Sequence, residues 1–291
     1  MKKTLIILGN GFDIDLGINL TFGAYCRCPK CLAYVEHDED EKPWGDFEND
    51  IREKILAWND NKDDEVAKSI NKEWQAFKMN FSYFFTETVS KEKLSINTLS
   101  YAYQMLMNFS KKSEVYTFNY TNPYEYVQIK NSKKFNHVHG RYYRDEFNDS
   151  MMTISQSHNM IVGIDYKRIP QSVHDNSCLS PIIKQRNPSF HKTDIEEKLL
   201  NAKTVIFFGF SMGITDSDYF DEFFTIITNE TSICKTIYYI IDCEKEFNKF
   251  KENLNRMGYD YSAIERHIKI IPIYTKQEFD NENFKRVLAL I

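Results

Sequence analysis

Four short polar stretches carry the residue types that could act on a ligand. They are GNGFD at 9–13, FNYTN at 118–122, HVHG at 137–140 and GFSMGITDSD at 209–218. Gly9 and Gly11 directly follow an apolar run and precede a helical pattern, an arrangement that brings backbone N–H groups near a phosphate. Neither glycine has a Cβ to stand between backbone and ligand. The loop is not the full dinucleotide fingerprint, because Ile14 stands where the third glycine belongs. An ordinary tight turn accounts for it as well.

Asn119 offers a neutral amide, either to satisfy loop backbone groups or to position a water or a ribose hydroxyl. His137 and His139, two residues apart, share a face on a strand. Ahead of a glycine, such a pair suggests a general base or a metal pair. Ser211 follows Gly209 near a helix start and can hydrogen-bond a phosphate or ribose. Asp216 and Asp218 read as caps of that helix, at least one of them. Asp13 and Asp15 read as first-turn acids, with Asp13 nearest the glycine loop. Asp242, ending the run KTIYYIID, is placed for a ribose contact.

Strands ending at these motifs would bring them together. Leu5 to Leu8 is a continuous apolar run, the pattern of a strand buried on both faces. Helical spacing follows at 44–58 (Trp44, Phe47, Ile51, Ile55, Trp58), at 65–89 (Trp74, Phe77, Phe81, Phe84, Phe85) and at 94–109. Residues 21–110 therefore read as a helical insertion or cap, its aromatic stripes packing helix on helix. Residues 1–20 and 111–291 read as the core. There, strands at 114–120, 135–140, 203–210, 235–242 and 267–273 alternate with helices at 123–131, 193–201, 216–228, 245–257 and 276–290. An apolar stretch lies at 159–166, and 170–188 has the look of a mobile loop over a site. The alternation predicts an α/β, Rossmann-like parallel sheet with helices on both faces. Ligands of such sheets bind at the carboxyl ends of strands. All four motifs fall there.

Composition narrows the classes. With 42% hydrophobic residues and 15% aromatics, the 291-residue chain can bury a large core. A net charge of −5 argues against a dedicated nucleic-acid binder. No apolar run reaches the length of a membrane span. The N-terminal run is shorter than the ~7–15-residue apolar region of a signal peptide, so the chain reads as cytoplasmic. Cys26, Cys28 and Cys31 form CRCPKC, which with His37 could hold zinc, but no second ligand pair is visible. Thiols on a solvent-facing turn or helix are the expected reading. Cys178, Cys234 and Cys243 read as reduced.

The four motifs, with WGDFE at 44–48 and the continuation LGINLTFGAY after the first loop, closely resemble the AbiH family of bacterial abortive-infection proteins. Thr21 and Tyr25 keep that family's pattern, and CRCPKC departs from it. The same motifs are remotely similar to the sirtuin-like (DHS-like) fold. That resemblance implies a nucleotide site at Gly9, Gly11 and Asp13, with Asn10 in the loop. It also implies a catalytic amide at Asn119, a base at His139, and cofactor contacts at Gly209 and Ser211. Asn10 and Phe12 replace small residues of that pattern. A deacetylase is not expected, since only Cys178 stands where a four-cysteine zinc module belongs. The resemblance instead implies a phage-defence protein that binds NAD⁺ and hydrolyses its nicotinamide–ribose bond, with no metal. Two rival readings remain: a nucleotide-binding sensor without turnover, and a metal-dependent nuclease built on His137, His139 and nearby acids. The expected partners are a nucleotide ligand and a phage trigger, with room for a homo-oligomer.

Overall fold

The opening apolar run is strand β1 (Thr4–Leu8), buried along its whole length. In this computed structural model the described residues are 4–20, 24–25, 44–88, 94–110, 113–127, 134–142, 160–167, 169–188, 190, 194–229, 235–276 and 281–291. Helix α1 (Asn10–Leu16) leaves β1 through Gly9 and stops at Gly17 in the left-handed conformation (φ 97°). The insertion contributes α2 (Trp44–Asn61), α3 (Asp64–Thr88) and α4 (Tyr101–Asn108). Then come β2 (Glu114–Thr117), β3 (Asn136–His137), α5 (Gln171–Asp175), α6 (Ile195–Asn201) and β4 (Thr204–Phe208). The chain closes with α7 (Asp221–Asn229), β5 (Lys235–Ile241), α8 (Glu244–Arg256), α9 (Tyr261–His267), β6 (Ile268–Tyr274) and α10 (Asn281–Leu290).

The six strands form one sheet in the order β3-β2-β1-β4-β5-β6, and every pairing is parallel. This is the α/β, Rossmann-like architecture expected from the sequence. Strand alternation sorts the apolar residues into two cores. Ile6, Leu8, Ile206 and Phe208 face one, and Leu5, Ile7, Val205 and Phe207 face the other. The first core also takes Ile51, Ile55, Trp58, Trp74 and Phe77, so the insertion helices cover one face of the sheet. Phe47 stacks on Phe77 with centroids 3.9 Å apart, the helix-on-helix packing expected of these stripes. Helices α6 to α9 cover the opposite face.

Several elements depart from expectation. Residues 170–188 are not a loose loop: α5 and two 3₁₀ turns bury Val173, Leu179, Ile182 and Ile183. Their apolar residues fall in separate short turns, so no single period marks them. The stretch 160–166 forms no strand, only a bridge from Ile164 to Ile183. The third insertion helix starts at Tyr101, not near Leu94. Ser100 Oγ accepts from the Tyr103 N–H there, and Asp15 Oδ2 accepts from the Ala102 N–H at 2.8 Å. The helix after β2 is a 3₁₀ turn over Pro123–Glu125, and α9 had no counterpart in the sequence reading. The Cys26, Cys28 and Cys31 cluster, His37, Thr21 and Cys234 lie outside the described residues. Cys178 and Cys243 are free thiols.

Candidate functional site

Strand order reverses between β1 and β4, and parallel sheets bind ligands at such a switch point. A crevice of about 800 Å³ opens there. Its lining includes Gly9, Asn10, Gly11, Asp13, Asn119, His139, Gly209, Ser211 and Asp242. Asn119, His139 and each residue read above as cofactor-binding thus reach one cavity, from loops after β1, β2, β3, β4 and β5.

The glycines also have a role within the chain. A Cβ on Gly9 would lie 2.6 Å from the Gly209 carbonyl oxygen, and one on Gly11 would press on Gly209 Cα. Gly209 itself has φ +59° and faces Gly11. The close approach these residues permit is therefore between the β1 and β4 loops. It is fixed by the Gly9 N–H donating to Phe208 O and the Gly11 N–H to Gly209 O, both at 2.9 Å. Those two N–H groups are engaged within the protein. The Asn10 side chain likewise donates to Leu20 O at 3.0 Å.

Asn119 braces the same loop from β2. Its Nδ2 donates to Gly9 O at 2.9 Å, so the backbone-satisfying role is real, and its Oδ1 is the atom left for a ligand. Asp13 lies beneath, fully buried, and accepts a hydrogen bond from Thr121 Oγ1. Burial pushes its carboxyl up to about 7, against the opposing contributions of Thr121 and Asn119. It is the first-turn acid of α1 expected from the sequence, but a buried one.

The histidines part company. Strand β3 ends at His137, so alternation no longer governs His139. His137 Nδ1 pairs with Asn119 O at 3.0 Å, and its ring is outside the crevice lining. Burial holds its pKa below the ordinary range. His139 lines the crevice, its ring edge-on to Phe118 at 5.1 Å. Its Nε2 stands 3.2 Å from Asp216 Oδ1, an ion-pair distance whose alignment falls short of a hydrogen bond. Among the described residues nothing bonds Nδ1. Nor do three His, Cys, Asp or Glu side chains there gather as a cation site.

Asp216 and Asp218 do not cap the following helix. A 3₁₀ turn (Ile214–Tyr219) intervenes and turns them inward. Asp216 Oδ1 lies 2.8 Å from Lys184 Nζ, and the same ammonium lies 3.2 Å from Glu48 Oε2 on α2. Burial opposes the charge on Asp216, but Lys184 and His139 outweigh it and hold the carboxyl well below its ordinary range. Lys184, itself disfavoured by burial, is held above its ordinary range by Asp216 and Glu48. Asp218 Oδ2 instead accepts from the N–H groups of Tyr166 and Lys167 and from Gln185 Nε2.

At the far rim Ser211 is exposed, and Asp242 is paired with Lys276 at 2.5 Å. A family model described as bacteriophage abortive infection AbiH matches residues 5–239. The chain belongs to the AbiH family. The matched span holds the insertion and all four loop motifs, and it ends just before Asp242. The family is one of bacteriophage abortive infection, which makes phage defence the role of this AbiH chain. No curated protein matches it. Among its described residues, no helix is long and apolar enough to cross a membrane.

Sequence reasoning missed Glu48, which lines the AbiH crevice, and Lys184, buried behind the lining residue Asp216. Glu48 sits in WGDFE, one of the motifs that resemble AbiH, where the sequence reading gave it no role. Lys184 sits in what read as a loop. The available signal was the place of Glu48 on the apolar side of α2, one turn before Arg52 and beside Phe47 and Ile51. In the fold Glu48 Oε1 also accepts from the Gly163 N–H at 2.9 Å, tying the insertion to the core. Arg52 approaches the fully buried Asp165 at 3.6 Å.

Proposed function

We propose that this AbiH protein defends against phage by binding a nicotinamide dinucleotide in the crevice and hydrolysing its nicotinamide–ribose bond. The observation that carries this reading is the meeting of Asn119 with a carboxylate-backed His139 in one crevice at the switch point. Water would displace nicotinamide from the ribose C1′, giving ADP-ribose, nicotinamide and a proton. The Asp216 carboxylate beside Nε2 favours the proton on that nitrogen and leaves Nδ1 to accept one from the attacking water or a ribose hydroxyl. Asn119 Oδ1 would orient that hydroxyl. Because the Gly9 and Gly11 N–H groups are engaged, the dinucleotide phosphates would rest on the open face of the glycine pair and on Ser211 across the rim. A base of this kind contributes roughly 10²–10⁴-fold.

The test is NAD⁺ consumption by purified protein, taken from resting and from phage-challenged cells, with nicotinamide and ADP-ribose separated by chromatography. Wild type should release both products, while His139→Ala and Asn119→Ala, checked for native circular dichroism, should release neither. Wild-type turnover in both variants would overturn the reading. Tight binding of unchanged NAD⁺ by protein from either source would replace it with a nucleotide sensor.

A further inference from the structure

Lys184 places a full positive charge in the interior: the residue is 1% exposed. Its Nζ donates to Thr215 O at 3.0 Å and lies between the carboxylates of Glu48 and Asp216. The Asp216 oxygen that meets Lys184 at 2.8 Å is the same one that meets His139 Nε2 at 3.2 Å. Glu48, Lys184, Asp216 and His139 therefore form a row of alternating charge that starts on the insertion and ends at the crevice. Stability alone does not call for such a row, since apolar residues of equal volume commonly hold a fold as well as a buried ion pair does. Unlike apolar residues of the same volume, a row of charges also biases where a neighbouring histidine keeps its proton.

We propose that Glu48 and Lys184 are positioning residues that set the protonation and orientation of His139 through Asp216, making the helical insertion part of the crevice chemistry. The consequence for catalysis rests on the reading of His139 as the base; the electrostatic coupling does not. His139 is faced by Asp216 and by the rings of Phe118, Tyr120 and Tyr219. Burial raises both tyrosines above their ordinary range, with Lys184 opposing it at Tyr219, so they stay neutral between pH 5 and 9. Lys184 is faced by Asp216, Glu48, Tyr219 and, farther off, Asp165, which neighbours Arg52 and Asp218. Asp165, pushed up to about 6 by burial, titrates in the same interval and is retained in every variant compared.

The signs of two substitutions follow from the row. Lys184→Met removes the cation that shares Asp216, so His139 becomes the partner of that carboxylate and takes up a proton more readily. The two cations meet one oxygen and so lie at most about 6 Å apart, and a unit charge at that distance in an effective dielectric of about 20 moves a titration midpoint by about 2 pH units. Glu48→Gln keeps an acceptor for the Gly163 N–H but removes a negative charge, leaving Lys184 less neutralised. His139 then gives up its proton more readily, by roughly half a pH unit or more at the longer distance.

The experiment follows the His139 Cε1–H resonance through a pH titration of the full-length, ligand-free protein, assigned with His139→Gln. The midpoint is expected to rise in Lys184→Met and to fall in Glu48→Gln. Midpoints that stay within about 0.2 pH units of wild type, or that move in the same direction, would overturn the proposal. If Lys184→Met does not fold, Glu48→Gln decides by its sign alone. A parallel NAD⁺ assay separates the two claims: the midpoints can shift as expected without turnover, and turnover can occur with the midpoints unmoved.

Discussion

Replacing the Asp13 carboxyl by an amide, Asp13→Asn, should flatten part of an unusual dependence of stability on pH. The Asp13 carboxyl is fully buried, and burial raises it from an ordinary value of 3.8 to about 7. An acid whose pKa is higher in the folded state binds more protons there than in the unfolded chain between those two values. Its contribution to stability is therefore complete below about pH 4 and is lost as pH rises through about 7. The displacement of about 3 pH units amounts to roughly 4 kcal/mol at about 1.4 kcal/mol per unit. Asp15 and Asp165, each pushed up to about 6 by burial, add changes of the same sign. Asp216 acts oppositely, losing its contribution as pH falls below the ordinary carboxylate range. The amide of Asp13→Asn keeps an acceptor for Thr121 but cannot ionise. Between pH 5 and pH 8 the variant should gain on wild type by up to about 3 kcal/mol, the part of the loss that falls in that interval. Buried Trp58 and Trp74 lie in the same core as Phe12 and Leu16 of α1, so their fluorescence reports the transition. Parallel curves for the two proteins from pH 5 to 8 would refute the argument.

Gly209→Ala should be costly, because its φ of +59° strains any side chain and its Cβ would overlap the Gly11 backbone. A loss of about 2 kcal/mol or more in urea unfolding is expected, and a loss under about 0.5 kcal/mol would show that the β1 and β4 loops can separate cheaply. Lys235 donates from Nζ to the carbonyls of Leu199, Leu200 and Ala202 at the end of α6. Lys235→Met leaves those acceptors without it and should lower stability by about 1–3 kcal/mol by the same assay, whereas an unchanged midpoint would mean water replaces the ammonium fully.

What was legible in the sequence had a local cause. The apolar runs of β1, β4 and β5 stop at Gly9, Gly209 and Asp242, so both the strands and the loops that end them could be located without coordinates. Topology then carries those loops to one edge, and the crevice follows from parallel strands alone. What was missed depends on partners distant in sequence. Asp216 reads as a helix cap because aspartate near a helix start usually is one, and only the extra 3₁₀ turn points it at Lys184. Lys184 reads as loop because its neighbours Ile182 and Ile183 sit in turns too short to show a period. The glycines were legible only in part: their type showed a close approach, but not that one approaching group is another loop of the same chain.

Two carboxyls line this crevice in opposite states, and one lysine accounts for the difference. Asp13 and Asp216 are both buried deeply enough for desolvation to be the largest influence on each. Asp13 has only neutral partners, Thr121 and Asn119, and its carboxyl rises to about 7. Asp216 has Lys184 at 2.8 Å, and it falls well below the ordinary range. The loop after β1 thus brings a proton-holding acid to the cavity, and the loop after β4 a permanent carboxylate beside His139. Environments that push two carboxyls apart are the usual means by which one site keeps both an acid and a charged group near neutral pH. Here that separation requires Lys184 to remain charged in the interior, which Asp216 itself favours most and Glu48 next. The insertion, remote in sequence from the loops it serves, adds to the difference through Glu48.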